Sequence, residues 1–310
     1  MTRSPVVLGL DFGGTKIAVA ICDLAGVRIG GTVVESNADA GAVMALERAV
    51  ATARDLLAAA APDRELIAVG AATFGIPFDD RVELAPAIPG WSTLAFGREL
   101  RAAFSGVQLR MATDVKAAAI AELRWGSLIG CDPAIYLNLG TGLATAIVAG
   151  GAVISGAHGA AGEIGYNLRD AADVGLALSD RVTLEDVVSG RALAAVASAE
   201  LRERLTSAEV FELADTSPAA AAIVETFVHE LAQHVVNLTI AIDPVRVVVG
   251  GGMVRSWSRI APTLRRALDA AVPFPPELVV AEFPFDAALI GALALGVEAA
   301  GAVLGEEALA

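Results

Sequence analysis

Aromatic residues are scarce in this 310-residue chain, at 5%, so its core has to be built from small aliphatic side chains. Cysteine is scarcer still. Cys22 and Cys131 are too few and too far apart for a disulfide framework or a four-thiolate zinc site, and they read as buried free thiols. Basic residues are outnumbered, 22 Lys and Arg against 36 Asp and Glu, giving a net charge of −14. A chain that acidic lacks the clustered cations on which phosphate-backbone binding depends. No nucleic-acid partner is therefore expected, and the acidity fits a soluble, cytoplasmic protein. No secretion signal is read at the start, where "MTRSPVVLGLDF" passes from a short polar stretch into a strand-like run. Residues 133–162 hold no Asp, Glu, Lys or Arg. Asn138, Thr141, Thr145 and several glycines interrupt that stretch, and its apolar residues alternate. It reads as a buried hairpin rather than a membrane span.

What is present is an alternation of strand-like and helix-like segments. Residues 5–10, 16–22 and 27–34 read as strands, 39–61 as an Ala-rich helix and 66–75 as a strand ending in glycine. The strand 107–114 runs into a helix. "AIYLNLG" and "LATAIVAGG" form a second strand–turn–strand, helices dominate 184–242, 246–252 is a strand, and 286–300 a helix. This is an α/β pattern. "LDFGGTKIAVA" and "LNLGTGLATAI" overlay, with Asp11 on Asn138 and Gly13 on Gly140, as expected of a duplicated domain with a cleft between the copies.

The two glycine turns carry the chemistry. Glycine lets backbone approach an anion, and unpaired N–H groups of a tight turn make an anion-binding concavity. Gly13, Gly14, Thr15 and Lys16 offer such a tip, and Gly140, Thr141 and Gly142 a second. Asp11 would repel a phosphate unless a divalent cation stood between them, as Mg²⁺ does when one carboxylate and waters hold it. In a third run, "VVVGGGM", Gly250, Gly251 and Gly252 follow a strand and leave room for a nucleotide base.

In this order, "LDFGGTKIA", "LNLGTG", "HGAAGEIGY" and "VVVGGGM", with "APAIPGW" and "TLEDVVSGRAL", closely resemble the ROK family of bacterial sugar kinases and sugar-responsive repressors. The resemblance runs from Val6 to the last helix. It implies a two-domain actin-like (ribonuclease-H-like) fold, α/β throughout, with ATP and sugar in the interdomain cleft, and a homodimer. The expected division is residues 1–113, completed by a helix at about 288–310, and residues 114–287. On this likeness Asp114 falls where family kinases keep the carboxylate that accepts the sugar hydroxyl's proton. The dipole of the helix it precedes would keep it ionised, although a plain N-cap is its alternative role. Glu163, Glu185 and His158 fall on sugar-pocket positions. A first-turn helix acid remains open for Glu185 and a structural histidine for His158, while His229 and His234 read as structural.

The chain also departs from the family pattern. The family's zinc motif has three cysteines and a histidine. Here Tyr166 replaces the histidine and residues 167–186 hold no cysteine, so no zinc is expected. Ala87 and Thr113 stand where asparagines that touch sugar hydroxyls are usual, Lys116 replaces another asparagine, and Ala144 and Ala146 replace glycines. Thr113, Tyr166, His158, Glu163 and Glu185, with Asp114, are the substrate-binding candidates. Two lost hydroxyl pairings would weaken glucose by about a hundredfold, so the expected acceptor is another sugar or a cyclitol. The expected activity is ATP-dependent phosphorylation of a sugar or polyol hydroxyl, needing Mg²⁺. A sugar-sensing repressor would need a helix-turn-helix ahead of the strand that begins near residue 5. A ligand-binding relative with little kinase activity is the alternative.

Overall fold

The computed structural model describes residues 3–85 and 88–304. Apolar residues dominate β1 (Ser4–Phe12), which turns at Gly13–Thr15 into β2 (Lys16–Cys22) and continues to β3 (Arg28–Glu35). The helix α1 (Ala42–Ala60) buries Ala45, Leu46, Ala49 and Ala53, a stripe at helical spacing. Strand β4 (Arg64–Thr73) is followed by a small hairpin of β5 (Ile76–Pro77) and β6 (Val82–Glu83), then α2 (Phe96–Ala103). Strand β7 (Gln108–Thr113) leads directly into α3 (Asp114–Trp125). The sheet order is β3-β2-β1-β4-β7. Strands β1, β2 and β3 pair antiparallel, while β1, β4 and β7 run parallel.

The second sheet repeats this arrangement. Strands β8 (Ala134–Leu139), β9 (Leu143–Ala149) and β10 (Ala152–Val153) form an antiparallel meander over the uncharged stretch. After it come α4 (Gly190–Leu201), α5 (Ser207–Leu213) and α6 (Pro218–Ile242). Strand β11 (Arg246–Gly250), α7 (Trp257–Ala271) and β12 (Glu277–Val280) follow. The order β10-β9-β8-β11-β12, with β8, β11 and β12 parallel, matches the first sheet strand for strand. Helices α4 to α7 bury Leu193, Phe211, Phe227, Leu231 and Leu264 in one core with Ile135, Leu137, Val247 and Val249 of the sheet.

The chain ends in α8 (Ala287–Leu304), which packs on β4, β1 and β7 of the first sheet. Glycine makes this possible. A Cβ at Gly70 would lie 1.8 Å from the Ala292 carbonyl oxygen, and one at Gly291 would lie 1.8 Å from that of Ala117 in α3. The two compact units are therefore Met1–Arg124 with Asp286–Ala310, and Trp125–Phe285. Nearly all of α3 belongs to the first unit. Ala117 and α8 meet at backbone distance within that unit, which keeps the helix that opens on Asp114 with the first sheet.

Among the described residues no helix is long and apolar enough to cross a membrane. Cys22 and Cys131 are both free and buried. His229 is exposed on α6, and His234, on the same helix, is buried.

Candidate functional site

In the first unit the β1–β2 turn takes its shape from glycine. The Gly13 N–H donates to the Lys16 carbonyl at 2.9 Å, and a Cβ on Gly13 would lie 2.9 Å from that same oxygen. The tip's carbonyls are tied back to Ser36, whose hydroxyl donates to the Gly14 oxygen (2.8 Å) and whose N–H donates to the Thr15 oxygen (2.9 Å). Among the described residues no carbonyl accepts from the Gly14 or Thr15 N–H. A turn with its carbonyls spent and its N–H groups left over suits an anion. Thr15 and Lys16 are exposed beside it.

Asp11 lies at the end of β1, half-buried, and Asp114 opens α3. Burial first, and then the nearby Asp114 charge, push the Asp11 carboxyl up from 3.8 to about 7. The helix is capped by Thr113, whose hydroxyl accepts from the Lys116 N–H at 3.2 Å, while one Asp114 oxygen accepts from the N–H of Val115 at 2.9 Å. The cap role that competes for Asp114 is thus already taken by its neighbour. Among the described residues no group of three or more His, Cys, Asp and Glu could hold a metal ion. The Asp11 and Asp114 carboxylates are hard oxygen donors of the kind Mg²⁺ accepts alongside waters.

The second unit builds its turn the same way. Gly140 donates to Gly142 at 3.1 Å, and its carbonyl accepts from the Gly190 N–H (2.9 Å) at the start of α4. The Thr141 carbonyl accepts from the Arg191 N–H at 3.3 Å. Again the carbonyls are spent, and among the described residues the Thr141 and Gly142 N–H groups meet no backbone acceptor. The Leu143 N–H donates to Glu185 Oε2 at 2.9 Å, and Arg191 donates to Glu185 Oε1 at 3.3 Å. Gly250 pairs with Asn138, so the third glycine run lies beside this turn. A Cβ at Gly250 would meet the Tyr136 hydroxyl at 2.0 Å, and one at Gly251, where φ is +90°, would meet the Leu139 carbonyl at 2.4 Å. Glycine at those two positions is demanded by packing within the unit. A Cβ at Gly252 would stand 4.0 Å from the Arg255 guanidinium, in ordinary contact.

The acceptor candidates of this unit gather around a short 3-10 turn at Ile164–Tyr166. Glu163 precedes that turn, and the Gly165 carbonyl accepts from the Glu185 N–H at 3.1 Å. The Tyr166 phenol is raised above its usual range by burial first, then by the charges of Glu163, Glu185 and Asp186. The structure therefore draws Glu163, Tyr166 and Glu185 together. His158 stands apart from them in role: it is exposed on a loop and makes no hydrogen bond among the described residues, so it is not a satisfied structural histidine. Ala87 lies outside the described residues. Sequence reasoning missed Arg191, which the "SGRAL" stretch places on the first turn of α4, and Ser36, whose pairing with residues 14 and 15 leaves no local signal.

The ROK family model matches residues 7–299. Kanosamine kinase of Amycolatopsis mediterranei is 30% identical over 269 residues, which cover 84% of this chain and 85% of that protein. The ROK hexokinase of Thermus thermophilus is 29% identical with a TM-score of 0.78, covering 94% of this chain and 97% of that one. A ROK glucokinase from Streptomyces griseus, solved in complex with glucose and AMPPNP, is 26% identical with a TM-score of 0.75, covering 94% and 99%. These relatives are sugar kinases built on the same two-unit, actin-like α/β fold. Glycine turns in the same order, paired sheets of one topology and a match over nearly the whole length lead to one conclusion: the chain belongs to the ROK family.

Proposed function

We propose that this chain is a sugar kinase that transfers the terminal phosphoryl group of ATP to a hydroxyl of a sugar or sugar-like polyol, with Asp114 as general base. The observation that carries this reading is the Thr113–Asp114 pair. Thr113 caps α3, so the Asp114 carboxylate is not needed for that task at the mouth of the helix. Phosphoryl transfer asks for positioning, stabilisation of charge and a carboxylate aimed at the attacking hydroxyl. The acceptor oxygen attacks phosphorus, its proton passes to Asp114, and ADP leaves. The N–H groups of the two glycine turns, with Thr15 and Lys16, are the donors this reading gives to the phosphates. Mg²⁺, held by Asp11 through water, would supply the positive charge that lets a carboxylate sit beside a phosphate. Glu163 and Tyr166 are the acceptor-side groups, with Thr113 and His158 as further contacts.

The test is ADP release over a panel of glucose, mannose, N-acetylglucosamine, amino sugars including kanosamine, and cyclitols, with polyphosphate as a second donor. At least one acceptor is expected to give saturable, Mg²⁺-dependent turnover. Asp114→Asn should lose about 10²–10⁴-fold in kcat while still binding nucleotide. Near-wild-type turnover in that variant would remove Asp114 from the mechanism. No ADP release with any acceptor would leave a ligand-binding protein instead. Glucose should fall well short of the best acceptor. A kcat/KM within threefold of it would show that Thr113 and Tyr166 do not set specificity.

A further inference from the structure

Glu185 sits at a junction that an acceptor ligand alone would not need. Its Oε2 accepts from the Leu143 N–H at 2.9 Å, immediately after the Gly140–Gly142 turn. A Cβ added to Gly142 would stand 2.6 Å from that same oxygen, so the turn and the carboxylate are in direct contact. Its Oε1 accepts from Arg191 at 3.3 Å, and the Arg191 N–H in turn donates to the Thr141 carbonyl at 3.3 Å. Its own backbone N–H holds the Gly165 carbonyl, two residues beyond Glu163. One side chain thus reaches the glycine turn, the first turn of α4 and the segment that carries Glu163 and Tyr166.

We propose that Glu185 and Arg191 are positioning residues for the phosphate donor: Glu185 anchors the Gly140–Gly142 turn, and Arg191 neutralises the carboxylate that does so. This rests on the reading that the turn takes the donor's phosphates. An unneutralised carboxylate against that turn would repel them at a range where screening is weak. With the guanidinium on Oε1, the pair contributes geometry without contributing net negative charge. The turn's carbonyls stay tied down, and the Thr141 and Gly142 N–H groups stay available.

The proposal predicts an effect on nucleotide affinity with no acceptor present, which an acceptor ligand would not produce. The experiment is calorimetric titration of the full chain with Mg²⁺ and AMPPNP, with the melting temperature of each variant measured alongside. Glu185→Ala removes the anchor and should weaken AMPPNP by about tenfold or more. Glu185→Gln keeps an oxygen for the Leu143 N–H and should stay within about threefold of the wild type. Arg191→Ala should weaken AMPPNP by roughly three- to tenfold without lowering the melting temperature, since that side chain is largely exposed. Unchanged affinity in Glu185→Ala and Arg191→Ala, or equal losses in Glu185→Ala and Glu185→Gln, would overturn the proposal while leaving the kinase reading intact. A wild-type chain that does not bind AMPPNP would instead overturn the kinase reading, and this proposal with it. Should Glu185→Ala fail to fold, Gly142→Ala pushes the carboxylate off the turn and is expected to give the same loss.

Discussion

At the scale of single residues the site is a matter of which polar groups the fold has already used. Thr113 is an example, since its hydroxyl takes the Lys116 N–H and so caps α3 one residue ahead of Asp114. Asp11 shows the opposite case of a carboxylate whose environment disfavours its charge. The unfolded chain gives up that proton near 3.8 and the folded chain at about 7. Between those values the folded state holds more protons, so stability falls as pH rises through the window. Asp11→Asn should therefore be more stable than the wild type at pH 8, by on the order of 4 kcal/mol, with the gain vanishing toward pH 4. Chemical denaturation at pH 4, 6 and 8 without Mg²⁺ measures it. A gain that is equal at all three values would mean that Asp11 does not carry the titration. Asp11 and the Gly-Gly-Thr-Lys tip are legible in the sequence, because a turn needs no acid or lysine to close. The Thr113 cap was not legible, because Asp114 beside it reads as a cap just as well. Nor were the Ser36 bonds, because they join residues 22 apart that carry no shared pattern.

At the scale of elements, the segment from Tyr166 to Glu185 shows how a chain without the family's cysteines and histidine orders an irregular stretch. Arg181 donates to the carbonyls of Tyr166 (2.6 Å) and Asn167 (3.0 Å). Arg169 makes a two-pronged ion pair with Glu230 of α6, one bond at 3.1 Å, and the Arg169 carbonyl accepts from Gln233 of the same helix. Asp170 caps the short turn that follows, and Asp186 accepts from the N–H and hydroxyl of Thr183. These bonds tie down the backbone that follows Tyr166. Glu230→Ala would strand a half-buried guanidinium and should cost about 2 kcal/mol, read as a lowered melting temperature. A chelator should leave the wild-type melting temperature unchanged. One equivalent of tightly bound zinc in the purified chain, lost together with stability on chelation, would show that the segment is held by metal after all. The Arg169–Glu230 brace was not legible, because its partners are 61 residues apart. The same holds for α2, α7 and β12. Helix α2 is only eight residues long, Pro262 inside α7 is a helix-breaking signal, and the strand is only four residues long, too short to show an alternation.

At the scale of the whole molecule the two sheets share one topology, and that repeat was legible because each copy opens on an apolar strand ending in a glycine turn. What the repeat does not announce is the unequal way the two copies are closed. The second unit is a continuous stretch, Trp125–Phe285, whereas the first is interrupted and takes α8 from the far end of the chain. The dependence is physical. Helix α8 has a glycine or alanine at most of its contact positions, so Gly70 and Gly296 let it lie at backbone distance from β4 and β1. Leu289, Leu293, Leu295 and Val297 are each 5% exposed or less. Four such side chains account for roughly 6–12 kcal/mol of burial, comparable with the whole stability of a domain this size. Without α8 one face of the β1–β4–β7 sheet would be bare, and its glycines would give that face nothing to collapse with. A fragment of residues 1–124 should therefore show no cooperative unfolding transition, and should regain one when residues 286–304 are joined to it by a flexible linker. A fragment of residues 125–285 should fold alone, since among the described residues its core cluster draws on none outside that range. Circular dichroism during urea titration of the three fragments distinguishes these outcomes. A cooperative transition in residues 1–124 alone would show that α8 decorates a unit that is already stable, and that the chain's return to its first sheet is not what holds Asp11 and Asp114 in place.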